Sequence, residues 1–106
     1  MANLLDRLPE PASCLERVVT RVRNRGILVV TTPGSWMEEY TRREKWLGGF
    51  RRGGRPVRTL DSLRKILGTS FRLVARRDLP FFIREHERKF QWNVAEATVW
   101  RRKKSP

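Results

Sequence analysis

The chain has one cysteine, Cys14, one histidine, His86, and one tyrosine, Tyr40. A lone cysteine excludes an internal disulfide framework and a cysteine-rich metal cluster. A lone histidine leaves no histidine-based metal site and no Ser-His-Asp triad complete without an unusual substitute, so no metal is expected. There is no Gly-x-Gly-x-x-Gly and no phosphate-loop motif. The longest apolar run, Ile27 to Val30, is far short of the roughly 20 residues that span a bilayer. No apolar segment follows a basic start, so neither a transmembrane helix nor a signal peptide is expected, and a reducing, cytoplasmic setting is the default. Lysine is scarce, at five against 19 arginines.

What is present is 106 residues, one domain's worth of chain. Hydrophobic residues make up 39%, with four Trp and five Phe, too many large apolar side chains for a disordered chain, so a packed core is expected. The formal net charge of +13 attracts polyanions at long range. Yet the basic residues are spread along the chain and several adjoin acids, as in Arg42-Arg43-Glu44-Lys45 and Arg84-Glu85-His86-Glu87-Arg88-Lys89. A dedicated nucleic-acid binder more often gathers its cations on one element. The pattern therefore reads as an arginine-biased, solvated surface, with nucleic acid not the expected partner.

Periodicity organises the chain. Leu15, Val18, Val19 and Val22 form one stripe on a helix expected from Pro11 to Asn24, with Gly26 as its stop. Ile27 to Thr32 is a run of β-branched and apolar residues that suits a strand buried on both faces of a parallel sheet. Met37 to Glu44 suggests a short helix, and Gly48 to Gly54 a long loop. Leu60, Leu63, Ile66 and Leu67 face inward on a helix from Leu60 to Leu67, capped by Thr59 or Asp61 and ended by Gly68. Phe71 to Arg76 alternates as a strand, which Leu79 to Ile83 extends, Pro80 marking an irregularity or an edge. Val94 to Arg101 is the last strand, and residues 101–106 are a basic, frayed tail. The order predicts an α/β domain whose last two strands, with no helix between them, pair antiparallel.

Candidate chemistry sits between these elements. Trp36, Trp46, Trp92 and Phe90 fall in loops or at strand ends, where they either line a cleft for a planar ligand or close the core beneath the loops. His86, among Arg84, Glu85, Glu87 and Arg88, reads as a surface residue that could hydrogen-bond a ligand. Cys14 reads as a small buried or half-buried residue of the first helix, with nothing nearby to mark it as a nucleophile.

Five segments carry a resemblance. They are Asn3-Leu4-Leu5-Asp6-Arg7-Leu8-Pro9, Thr32-Pro33-Gly34-Ser35-Trp36, Glu44-Lys45-Trp46-Leu47-Gly48-Gly49-Phe50, Pro56-Val57-Arg58-Thr59-Leu60 and Arg84-Glu85-His86-Glu87-Arg88-Lys89-Phe90-Gln91-Trp92. Together they resemble the 4-mercaptohistidine N1-methyltransferase family of ovothiol biosynthesis, over residues 2 to 102. The resemblance implies the C-terminal half of a class I S-adenosylmethionine-dependent methyltransferase: a Rossmann-like sheet from its fifth strand onward, ending in an antiparallel β-hairpin of strands six and seven. The family's glycine-rich cofactor loop and the acidic residue that holds the ribose are absent from this sequence. The expectation is thus a single partial domain over residues 1–106, inactive alone, completed by an N-terminal half or relieved by a homodimer that covers the open edge of strand five.

Ligands of doubly wound sheets bind outside the carboxyl ends of the strands. The segments on that side are the same ones that carry the resemblance. The resemblance then implies S-adenosylmethionine near Asn3, Leu4 and Arg7, and a thiol-histidine substrate near Trp36, Tyr40, Trp46, Arg84, Glu85, His86, Arg88 and Trp92. No catalytic residue is assigned. Arg84 or Arg88 would hold the substrate carboxylate, Glu85 or Glu87 its amine, and a tryptophan would pack on the imidazole or near the sulfonium. The alternative is a non-catalytic basic module that binds nucleic acid or an acidic partner.

Overall fold

The computed structural model describes residues 1–104; Ser105 and Pro106, the end of the expected tail, lie outside the described residues. A 3-10 turn, Leu5–Arg7, precedes helix α1, Pro11–Val19, and strand β1, Ile27–Thr32. A second 3-10 turn, Arg43–Lys45, leads to β2, Phe50–Arg52, β3, Arg55–Val57, and helix α2, Thr59–Leu67. Strands β4, Phe71–His86, and β5, Lys89–Arg102, complete the chain. The main sheet has the order β1-β5-β4, and β2 and β3 form a separate hairpin. The architecture is mixed α/β with a closing β-hairpin, as the element order predicts. The expected parallel ladder is not seen among these strands. The returning strand β5 lies between β1 and β4 and is antiparallel to both, so β1 and β4 run in one direction without pairing.

Helix α1 stops at Val19 rather than Asn24. The Thr20 hydroxyl turns back to donate to the Arg17 carbonyl at 2.7 Å. The Arg102 guanidinium donates to the carbonyls of Val19 and Val22. These donors satisfy orphan carbonyls that another helical turn would otherwise need. Gly26 closes the turn that follows, because a Cβ there would lie 2.8 Å from the Arg23 oxygen.

Both helices pack on one face of the main sheet. Leu15 of α1 and Leu63 and Leu67 of α2 join Leu28, Val30, Phe71 and Trp100 in one core. Strand β1 is therefore buried on one face only. Leu28, Val30 and Thr32 point inward, while Ile27 and Val29 are 45% and 43% exposed, correcting the two-sided burial that its apolar run suggests. The open edge of β1 is partly covered by the chain's own start. The Met1 ammonium donates to the Val29 carbonyl at 2.9 Å, and Thr31 N–H donates to the Met1 carbonyl at 2.9 Å. The bridge Ala2↔Thr31 is parallel.

The segment that reads as a loop, Gly48 to Gly54, contains a tight hairpin. Gly53 and Gly54 have φ of 57° and 78°, the pair of positive values that a two-residue type I′ turn requires. Met37 to Glu44 forms no full helix, only a turn closed by Thr41 N–H on the Met37 carbonyl and the 3-10 turn after it. Helix α2 begins at Thr59, where the Asp61 carboxylate accepts the Arg58 N–H at 2.9 Å, and ends at Gly68.

Strands β4 and β5 exceed the lengths expected from their alternation. A bulge between Leu73 and Ala75 shifts the phase of β4 within the segment that reads as alternating, and the strand runs through Asp78 without a break. Pro80 is accommodated because β4 is the edge strand. Thr32, the last residue of β1, pairs with Glu96, and Glu96 pairs with Asp78. From Asp78 to His86 the hairpin continues alone for about 25 Å, at roughly 3.3 Å per residue, giving the molecule its 54 Å long axis. The tail is better anchored than expected: Arg101 and Arg102 belong to β5, and Lys103 N–H donates to the Ser70 carbonyl at 2.9 Å. No helix among the described residues is long and apolar enough to cross a membrane.

Candidate functional site

The carboxyl end of β1 meets the connector Asn3 to Leu8 and the loop that starts at Pro33. Asn3 takes φ of 50°, and its N–H donates to the Thr31 carbonyl at 2.7 Å. Its side-chain oxygen accepts the Thr31 hydroxyl at 3.0 Å. Asp6 is buried, and one carboxylate oxygen accepts the Ser35 N–H at 3.0 Å. Its other oxygen has no hydrogen-bond partner among the described residues. Arg7 donates to the Ser35 carbonyl at 2.9 Å, and its guanidinium lies 4.7 Å from the Tyr40 ring centroid. The Thr41 hydroxyl donates to the Leu8 carbonyl at 2.5 Å. Connector and loop are thus one unit, held by Asp6, Arg7 and Thr41.

Two of the candidate tryptophans belong to the scaffold of this unit. Trp36 is buried in the core and its indole N–H donates to the Thr59 hydroxyl at 3.0 Å. Trp46 packs against the core and donates to the Thr41 carbonyl at 2.9 Å. Each indole satisfies its one donor inside the protein, as buried tryptophans require. Of the two roles open to them by position, closing the core beneath the loops is the one that describes Trp36. Trp46 does both jobs: it also lines a hollow of about 890 Å³ with Arg43, Phe50, Arg51 and Arg52. The Arg43 guanidinium lies 5.7 Å from the Trp46 ring centroid. Periodicity does not point to Arg43, Arg51 and Arg52, because the hairpin that presents the last two has the composition of a loop. The paired glycines Gly53-Gly54 are the signal that identifies it.

The second group of candidates lies elsewhere. Arg84, Glu85, His86, Arg88 and Trp92 are on the projecting hairpin, and their hydrogen bonds, ion pairs and ring contacts stay within it. Glu85 binds Gln91 and Lys89. His86 Nδ1 accepts the Arg88 N–H at 3.1 Å, which closes the turn. Trp92 packs edge-on against Phe82 with ring centroids 4.9 Å apart. Phe82, Phe90 and Trp92 are 65%, 56% and 60% exposed. The structure therefore brings Asn3, Arg7, Trp36, Tyr40 and Trp46 into one region and leaves the arm residues outside it. The sequence run Arg84 to Trp92 is dense in functional residue types, but strand pairing carries it beyond the rim. At the arm's base, Arg76 binds Glu96 at 2.6 Å and Asp78 at 3.0 Å. The hydrogen bond to Glu96, then the charges of Glu96 and Asp78, push its pKa above the usual value.

Cys14 is half-buried and free. Among the described residues, no group of three or more His, Cys, Asp or Glu side chains is placed to hold a metal ion. The connector offers a methyl donor little. The Asn3 side-chain oxygen is taken by Thr31 and Arg7 by Ser35 and Tyr40, which leaves the Asn3 amide N–H2, exposed Leu4 and the unpaired Asp6 oxygen. These residues alone do not fit S-adenosylmethionine, whose ribose and carboxylate both need polar partners. No family model matches the chain, and no curated protein matches it.

Proposed function

We propose that this chain forms the acceptor side of a class I methyltransferase acting on N1 of 4-mercaptohistidine, with the donor cradle supplied by further polypeptide. The observation that carries the reading is the strand arrangement. A reversed last strand, β5, forms a hairpin with β4 and lies between two strands of common direction. On the other edge of β1, residues 1–3 pair parallel, where strand four of such a sheet would lie. The uncovered face with Ile27 and Val29 is where helices of an N-terminal half would pack.

In this reading the chain binds and orients the acceptor. Transfer from a sulfonium is an in-line displacement, so placement and exclusion of water are the protein's main contribution. The hollow beside Trp46 provides Arg43 and Arg51 for a carboxylate, Glu44 for an ammonium and the indole for the imidazole plane. Arg84 and Arg88, on the arm, approach the substrate only if the arm folds over it.

Calorimetric titration of the full chain tests this with two ligands. S-Adenosylmethionine alone is expected to give no measurable heat; micromolar binding would show that the chain holds a donor site of its own. 4-Mercaptohistidine is expected to bind weakly, and Arg43→Ala with Arg51→Ala to abolish that binding. Absence of heat with 4-mercaptohistidine at millimolar concentration overturns the acceptor assignment.

A further inference from the structure

The opposite end of the main sheet carries a feature that the methyltransferase reading does not use. Ile27 at the start of β1 pairs with Arg101, and Arg101 pairs with Arg72 near the start of β4. Both helices end here, at Val19 and Leu67. Three segments far apart in sequence deliver Arg25, Arg72, Arg101, Arg102, Lys103 and Lys104 around one hollow of about 450 Å³. Among the described residues, no acidic residue lines it. Among the described residues, none of these six cations forms an ion pair.

The platform under these charges is well fixed. Arg102 caps the end of α1 through the Val19 carbonyl and ties down the turn after it through the Val22 carbonyl at 2.7 Å, and Lys103 Nζ caps α2 through the Gly68 carbonyl at 2.9 Å. Arg25 N–H donates to the Arg102 carbonyl at 3.1 Å, and Arg102 N–H to the Gly26 carbonyl at 2.8 Å. Arg25 itself holds φ of 65°, a left-handed conformation that disfavours side chains. Arg25, Arg72 and Lys104 are exposed, and their side chains make no hydrogen bond within the described chain. Carbonyls at and after the helix ends engage Arg102 and Lys103, and the Arg25 carbonyl accepts from Arg101; Arg25, Arg72 and Lys104 project into solvent from a rigid base.

We propose that this amino pole of the sheet docks the phosphate backbone of nucleic acid. Six cations at one hollow need a dense anion to offset their mutual repulsion. A duplex, with one negative charge per roughly 1.7 Å of axis, is such an anion. Four of the six are arginines, whose planar fork matches phosphate oxygens in pairs. The aromatic side chains at this end, Phe71 and Trp100, are buried, so no base can stack on them. Contact is therefore with the backbone and independent of sequence.

The test is fluorescence anisotropy of a labelled duplex of random sequence, titrated with the full chain over a range of salt concentrations. One variant carries Arg25→Gly, Arg72→Gln and Lys104→Gln; glycine suits the φ of residue 25. A control carries Arg51→Gln, Arg52→Gln and Arg55→Gln on the β2–β3 hairpin, with the same change in net charge. The pole variant is expected to lose at least about tenfold in affinity, and its salt slope to flatten by about two to three, at roughly 0.9 for each phosphate no longer neutralised. The control is expected to lose less than about threefold, since only long-range attraction changes. Should the triple variant unfold by circular dichroism, Arg72→Gln with Lys104→Gln, which leaves the Arg25 turn intact, is expected to weaken binding more than any pair of control substitutions. Equal losses in pole and control variants overturn the proposal, because net charge alone would then explain binding. So does absence of binding at low salt. Displacement of the duplex by polyglutamate as effectively as by unlabelled duplex, at equal charge, overturns it in favour of an acidic protein partner.

Discussion

The two ends of the main sheet surround their arginines with different partners. At the carboxyl rim and on the arm, several cations have acidic partners, Arg7 with Asp6, Lys45 with Glu10, Arg76 with Asp78 and Glu96, and Lys89 with Glu85, while Arg43, Arg51 and Arg52 around the rim hollow have none among the described residues. At the amino pole they meet backbone carbonyls and, for Arg102, the Phe71 ring, with no acid among the described residues around the hollow. A net charge of +13 is therefore not spread evenly over the surface. The difference matters because exposed ion pairs contribute little to stability but do cancel the local field. The rim interleaves acids with its cations and is structurally tied, whereas the pole is tied from below and has no acid among the described residues that line it.

The largest break of this comparison removes what both ends share. Trp100 is fully buried and sits between the core strands, with its indole N–H on the Thr98 hydroxyl at 2.8 Å. Trp100→Ala is expected to cost about 3–5 kcal/mol, enough to unfold much of a small domain, read as loss of the cooperative transition in urea. Retention of a midpoint close to that of the parent would mean that the two ends do not depend on one core.

A smaller break is local to the rim. Asp6→Ala leaves the Ser35 N–H without its acceptor and is expected to cost about 1–3 kcal/mol. It is also expected to loosen the loop after β1, read as faster amide exchange from Ser35 to Thr41, while exchange at Gly26 and Arg102 stays unchanged. Faster exchange at both places would show that rim and pole are coupled.

The smallest effect is expected on the arm. Trp92→Ala removes an edge-on packing with Phe82 worth about 0.5–1.5 kcal/mol and little burial, so the urea midpoint should shift far less than with Trp100→Ala. The same residue type thus separates the arm from the core. A shift comparable to that of Trp100→Ala would mean that the arm folds back on the body of the protein in solution.

Much of the local structure is legible in the residues. The bounds of β1 follow from Ile27 to Thr32, and α2 from the Leu60, Leu63, Ile66, Leu67 spacing with Gly68 as its stop. The antiparallel pairing of the last two strands follows from the absence of a helix between them. Where residue spacing misleads, the physical cause is identifiable. Periodicity makes helix α1 too long because the carbonyls at its end are satisfied by Arg102, a donor 80 residues from Val22. The apolar run of β1 suggests two-sided burial, but both helices fall on one face. The β4 alternation breaks at Val74, where a bulge changes the phase. At the rim, Arg7, Tyr40, Trp36 and Trp46 share a region because their segments flank the end of β1. The run from Arg84 to Trp92 is not separable from them in the sequence, since pairing register decides how far a hairpin projects.

The sequence by itself determined the two main helices, the β1 strand and the closing strand pair, and how much positive charge the chain must carry, because these depend on local spacing and on counts. Only the tertiary structure decided where that charge gathers. Arg25, Arg72 and residues 101–104 look scattered along the chain, and no single element holds them. They meet because β5 returns between β1 and β4, which brings the chain's last described residues beside the turn after α1 and the start of β4.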